Sequence, residues 1–191
     1  MSKDLVLTDR QERLLEFVKD MHGEQVRKYT NEPYWTHPLA VAKLVHQYAS
    51  EYLAVEVALC HDLLEDTSCT DFALFSKLEE LGYSRFEAYE ITKAVLELTD
   101  VYTSERFPWM NRRERKRNEA IRLGGVGNMA KNVKFGDMID NTSSIVQHDK
   151  KFAKVYLEEK AEMLSRMRNT GSEIYIECEA WCSRAIKEVW T

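Results

Sequence analysis

His61-Asp62 and, one helical turn on, Glu65-Asp66 put an imidazole beside three carboxylates. They close the segment LAVEVALCHDLLED (53–66), which is apolar almost all round and therefore reads as a helix at the centre of a fold. A continuous helix stacks His61 over Glu65 and Asp62 over Asp66, each at i, i+4. Three carboxylates at the end of a buried helix repel one another and oppose the helix dipole. A divalent cation relieves both penalties, and an imidazole with carboxylates is a mixed nitrogen and oxygen set suited to Mn, Fe, Zn or a related metal. The alternative is a solvated helix end with His61 merely packed.

Two further segments can complete a coordination sphere. His37 stands just before Pro38 in PYWTHP, at the mouth of a second helix, where the proline restricts its backbone. In VKFGDMIDN (133–141), Asp137 and Asn141 share a helical face and Asp140 lies beside them. Gly136 in mid-helix costs about 1 kcal/mol relative to Ala, which points to close packing or an approaching ligand. The alternative is a solvated acidic face. A basic stretch, ERFPWMNRRERKRNEAIR (105–122), holds seven basic and three acidic residues. It reads either as a phosphate-attracting rim or as a solvated helix laced with ion pairs. Arg27-Lys28 adds a second candidate anion contact.

The elements that must position these residues are helical. Gly is 7 and Pro 3 in 191 residues, with 44% apolar residues, and no convincing strand, repeat or interdomain linker is visible. Thr8 with Gln11 is a capping box for a first helix that gives way near Tyr29. Pro38 suits the first turn of the second helix, and a short break around Ser50 precedes the third. Further helices are expected over about 71–81, 84–98, 112–123, 128–146 and 149–168, with a loop over 100–111. Asn169-Thr170-Gly171 ends the long one, and Ser172 caps a last helix striped by Ile174, Cys178, Trp181, Cys182, Ala185 and Val189. Cys60, Cys69, Cys178 and Cys182 form no CxxC and read as small buried residues. The expected organisation is residues 1–148 as the chemical domain and 149–191 as a C-terminal helical extension packed on it.

Together these segments resemble the hydrolase domain of the RelA/SpoT family and its stand-alone members, the small alarmone hydrolases. The matching pieces, in the family's order, are HGEQVRK (22–28), PYWTHPLAVA (33–42), ALCHDLLEDT (58–67), LTD (98–100), RERKRNEA (113–120) and VKFGDMIDN (133–141). The resemblance implies an all-α HD-domain helical bundle, with additional C-terminal helices, that holds one divalent metal, commonly Mn²⁺. By position it assigns His37, His61, Asp62 and Asp137 to the metal, and Glu65 and Asp66 to activating water and relaying protons. Arg27, Lys28 and Asn141 fall near the nucleotide; Arg112, Arg115 and Lys134 join them as candidate substrate contacts. The reaction it implies is removal of pyrophosphate from the 3′ position of guanosine tetra- or pentaphosphate. This chain departs from the family in having Phe135-Gly136 before Asp137, Thr142 in place of a bulkier residue, and Asp140 where His or Tyr is common.

Other HD-type hydrolases, such as a 5′-nucleotidase or a dNTP triphosphohydrolase, use the same ligands, and a non-catalytic nucleotide sensor is a further alternative. The pair Glu65 and Asp66 argues against a sensor. A formal charge of −5 argues against long nucleic acid as a partner. The N-terminal stretch has no apolar signal core and no segment reaches the length of a membrane span. A cytoplasmic enzyme acting on a small nucleotide, with homo-oligomerisation open, is the expectation.

Overall fold

The computed structural model describes residues 4–49, 51–169 and 171–191. The break expected around Ser50 and the Thr170 of the expected stop lie outside the described residues. Among those described, the chain forms ten helices: α1 (Asp9–His22), α2 (Thr36–Tyr48), α3 (Ala54–Cys60), α4 (Leu63–Asp66), α5 (Asp71–Glu80), α6 (Arg85–Leu98), α7 (Arg112–Gly124), α8 (Asn128–His148), α9 (Lys150–Arg166) and α10 (Glu173–Trp190). An isolated antiparallel bridge joins Val26 to Pro33. The fold is all-α.

Local chemistry sets the helix ends. Thr8 and Gln11 make the expected capping box at α1, and Ser84–Glu87 and Asn111–Glu114 repeat it at α6 and α7. Ser172 caps α10 by accepting from the Tyr175 N–H. The first helix stops earlier than expected, at His22, because Gly23 takes φ +51° and turns the chain away. Residues 100–111 form no helix, and Val101 and Tyr102 there donate their N–H groups to the buried Glu119 of α7.

Helix α3 is the axis of the molecule. Val57, Ala58, Leu59 and Cys60 are fully buried, and α3 packs against α1, α2, α6 and α8. Its one charged residue, Glu56, is also buried and accepts from Gln11 and Tyr83. Helices α2 and α8 cross beside it at Gly136, where a Cβ would lie 3.1 Å from Val41 Cγ1. Of the two reasons the sequence offers for this glycine, the structure shows helix packing.

Helices α9 and α10 continue the same core. Met163, Leu164, Ile174, Cys178 and Cys182 belong to the main apolar cluster. Ala153, Tyr156, Leu157, Ala185 and Val189 form a second cluster with Ile145 and Val146 of α8. Trp181, expected in the α10 stripe, is only half-buried. All four cysteines are free and buried. No helix among the described residues is long and apolar enough to cross a membrane.

The α2–α8 crossing predicts the effect of filling it. Gly136→Val places a branched side chain against Val41 and Val45 and is expected to cost about 1–3 kcal/mol by overpacking. Thermal unfolding should fall by roughly 2–4 °C per kcal/mol; an unchanged midpoint contradicts the crossing.

Candidate active site

Three elements bring the candidate residues together. His37 is the second residue of α2 and is helical despite the following proline; its N–H donates to the Tyr34 carbonyl. Asp137 lies in the middle of α8. His61 and Asp62 lie at a break, which corrects the continuous helix expected over 53–66. Helix α3 ends at Cys60 and α4 begins at Leu63. Asp62, at φ −95° and ψ −6°, occupies the sparsely used bridge region. The regular row that would stack His61 on Glu65 is thereby interrupted, and Asp62 turns toward both imidazoles.

The result is a tight group. His37 Nε2 lies 3.5 Å from Asp62 Oδ2 and 3.3 Å from Asp137 Oδ1. His61 Nε2 lies 3.2 Å from Asp62 Oδ1, and the two imidazole centroids are 5.2 Å apart. Ligand atoms of His37, His61 and Asp137, all three buried, fall within 4.8 Å of one another.

The donor chemistry fits a divalent cation. His61 Nδ1 is 2.8 Å from the Ala58 carbonyl, a group that only accepts, so Nδ1 carries a proton, and in the neutral ring Nε2 is the nitrogen with a lone pair. That Nε2 is buried with no hydrogen-bond partner, an orphan that a cation satisfies. His37 Nδ1 lies 2.7 Å from Asp140 Oδ2, which turns its Nε2 toward Asp62 and Asp137. A carboxylate on the far nitrogen of an imidazole is the usual way a metal-binding histidine is oriented. Asp140 thus has a structural part that its divergence from the resembled family did not reveal.

Internal cations hold the acids ionised. Burial disfavours charge on Asp137, but Lys134 (2.8 Å from Oδ2) and His37 outweigh it and keep the carboxyl well below its ordinary range. Burial likewise opposes charge on Asp140, and His37 and Arg27 overcome it. Arg27 is 2.5 Å from Asp140 and so serves the cluster as well as the adjoining cavity. For His37, burial works against the proton, yet the hydrogen bonds to Asp137 and Asp140 lead the forces that pull it up to about 10. The pocket thus strongly attracts positive charge.

Glu65 and Asp66 lie along α4. Burial, then the neighbouring Asp100, pushes Glu65 up to about 7, and its Oε2 accepts from the Asp100 N–H. Burial and Asp62 also raise Asp66. Tyr34, which sequence reasoning passed over, lies between the two acids, its hydroxyl 2.9 Å from Asp62 Oδ2 and 2.7 Å from Asp66 Oδ2. Its ring stacks on His22 at 4.7 Å. The available signal was its place in PYWTHP, one turn before His37.

Beside the group is a cavity of about 240 Å³ lined by Arg27, Lys28, Tyr29, Tyr34, Asn141 and Phe152. Asn141 also donates to Asp137 Oδ1 at 2.5 Å. Of the expected substrate contacts, Arg27, Lys28 and Asn141 line this cavity, and Lys134 sits against Asp137. The other two are placed differently. Arg112 forms a two-bond ion pair with Glu159 of α9, and Arg115 donates to the Met110 carbonyl. Lys116 pairs with Asp100 and Arg122 with Glu119. Much of the expected basic rim is engaged with acids and carbonyls of its own fold.

Fold and site define an all-helical domain with a buried histidine–carboxylate group whose donors suit a divalent cation. Within that class, the chain is similar to hydrolases of the RelA/SpoT kind. It is 28% identical over 171 residues to a probable guanosine-3′,5′-bis(diphosphate) 3′-pyrophosphohydrolase of Mycoplasma pneumoniae, covering 81% of this chain and 21% of that protein. It is 48% identical over 59 residues to the enzyme of that name from Aquifex aeolicus, covering 31% of this chain and 8% of the relative. The chain thus spans about a fifth or less of these relatives' lengths. Among solved structures, a metazoan ortholog of SpoT that hydrolyzes ppGpp superposes with a TM-score of 0.75 at 20% identity, covering 94% of this chain and 97% of the other. A Listeria monocytogenes protein gives 0.63 at 20% identity, covering 84% and 99%. No protein-family model matches the chain.

The Asp140–His37 contact carries a prediction. Asp140→Asn keeps the shape but weakens the hold on the imidazole, and divalent-metal affinity measured by calorimetric titration should fall about 10–100-fold. Wild-type affinity in this variant would show that Asp140 does not orient the ligand.

Proposed function

We propose that the chain is a metal-dependent nucleotide hydrolase that releases pyrophosphate from the 3′ position of guanosine 3′,5′-bis(diphosphate), with Mn²⁺ as the metal. The observation that carries this is the meeting of His37, His61 and Asp137, whose ligand atoms fall within 4.8 Å of one another, with Asp62 against both imidazoles and Glu65 and Asp66 on the short helix that follows it. The names of the sequence relatives support the substrate and favour it over a 5′-nucleotidase, a dNTP triphosphohydrolase or a passive sensor.

The side chains divide the work. His37, His61, Asp62 and Asp137 would hold the cation, which supplies electrophilic polarisation of a phosphoryl oxygen and acidifies water. Lys134 binds the outer oxygen of Asp137 and fixes the carboxylate. Glu65, raised to about 7, is matched to accepting a proton from water near neutral pH. Asp66, hydrogen-bonded to Tyr34, is placed to receive or return that proton. Lys28 and Arg27 face the cavity and offset phosphate charge, while Tyr29 and Phe152 offer flat apolar walls to a base. The balanced reaction adds one water and yields guanosine diphosphate and pyrophosphate.

Mass-spectrometric product analysis with Mn²⁺ tests this directly: guanosine tetraphosphate should give guanosine diphosphate and pyrophosphate. Glu65→Gln should lower kcat about 10²–10⁴-fold with little change in KM. Orthophosphate as the product, or turnover surviving in a His61→Ala, Asp62→Ala double variant, would refute the proposal.

A further inference from the structure

Helix α6 carries two apolar faces, and the fold uses one. Ala88, Ile91, Val95 and Leu98 are buried in the core. On the other side Phe86 is 68%, Tyr89 55% and Leu96 46% exposed, and Phe72 of the neighbouring α5 is 78% exposed. Apolar side chains exposed singly need no explanation, but four on one patch mark a contact surface. A cavity of about 610 Å³ opens beside this face, walled by Phe72, Phe75, Tyr89 and Leu96. Asp71, Lys93, Glu97 and Arg122 stand around it. Arg122 is held by Glu119. The other charges of the patch, Arg85 and Lys93 against Asp71 and Glu97, cancel. A balanced surface has no excess charge to offer an anionic membrane, a nucleic acid or a strongly charged peptide.

The order of these residues is self-complementary. At 3.6 residues per turn, Arg85, Phe86, Tyr89, Lys93, Leu96 and Glu97 fall within about 120° of one another around α6. Arg85 and Glu97 stand six residues either side of Ile91, Phe86 and Leu96 five, Tyr89 and Lys93 two. Two copies of α6 laid antiparallel about a two-fold axis level with Ile91 therefore set Arg85 against the partner's Glu97. They also set Phe86 against the partner's Leu96, and Lys93 against the partner's Tyr89. Each meeting occurs twice, as a contact between identical surfaces requires. The first is an ion pair, the second buries apolar surface, and the third lays an ammonium on an aromatic ring. Glu97 Oε2 accepts the Gly127 N–H at 3.1 Å, which steadies the carboxylate and leaves it a second oxygen. Leu96 walls the cavity, so the partner's Phe86 enters there.

We propose that the exposed face of α6, with Phe72 and Phe75 of α5, is a homodimer interface, and that its occupant is a second copy of this chain in antiparallel register. This goes beyond the hydrolase reading and does not depend on it. Sequence reasoning gives these residues no role, since they lie between the segments that carry the family resemblance.

The test is analytical ultracentrifugation of the full chain over a micromolar concentration series, where the wild type should sediment as a dimer. Arg85→Glu sets like charges against each other twice and should weaken the dimer about tenfold or more. Phe86→Asp should weaken it as well. Both substitutions fall at exposed positions, so both variants should keep the wild-type helical circular-dichroism signal. Glu97→Arg alone should also dissociate. Mixing it with Arg85→Glu should restore a dimer, because the ion pairs re-form only between the two unlike chains. A wild type that stays monomeric throughout the series overturns the proposal and leaves the face to another partner. A dimer that neither Arg85→Glu nor Phe86→Asp weakens associates through a different surface and overturns it too. Two folded single variants that stay apart when mixed contradict the antiparallel register.

Discussion

Asp62, Asp137 and Asp140 crowd two imidazoles in a region largely closed to water, and such a group is stable only if positive charge enters it. The fold provides part of that charge. Lys134 reaches Asp137, Arg27 reaches Asp140, and His37 holds a proton between them. What remains is a concave face of two imidazole nitrogens and carboxylate oxygens. His61 Nε2 is buried there without a hydrogen-bond partner. A divalent cation at that face replaces a proton that burial already opposes, which is why metal binding and protonation must compete there.

The helices serve this arrangement. The break between α3 and α4 delivers adjacent residues, His61 and Asp62, to one point, which an unbroken helix would send to different sides. The glycine at the α2–α8 crossing lets the elements carrying His37 and Asp137 approach closely. Tyr34 then links Asp62 to Asp66 through one hydroxyl. Helix α9 runs alongside, with Phe152 at the cavity. At α4, Glu65 is anchored on the Asp100 backbone.

Much of this architecture is legible in the order of the amino acids. Capping chemistry at Thr8 and Ser172 is local, and so is the apolar pattern of the helices; both read directly from spacing. His61 and Asp62 stand out because acids and an imidazole are expensive at the end of an apolar helix. His37 and Asp137 need the ordered set of family-like segments to join them, since no local rule says that residues so far apart meet. What cannot be read this way depends on tertiary partners. Arg112 and Arg115 have the spacing of free cations, but Glu159 and the Met110 carbonyl hold them. Asp140 is an anomaly in its segment and acquires a reason only from His37 and Arg27 on either side of it. The helix break at 61–62 falls on the weak helix formers Cys60, His61 and Asp62, but strong ones flank them on both sides, so propensity alone does not place it.

Anomalous diffraction from crystals grown with Mn²⁺ asks most directly whether these side chains share an ion. One peak is expected within bonding distance of His37 Nε2, His61 Nε2, Asp62 and Asp137, with Asp140 still on the far nitrogen of His37. A density map without a peak at that point, or with the manganese bound elsewhere and His61 Nε2 facing only protein, would contradict the metal centre and the hydrolysis built on it.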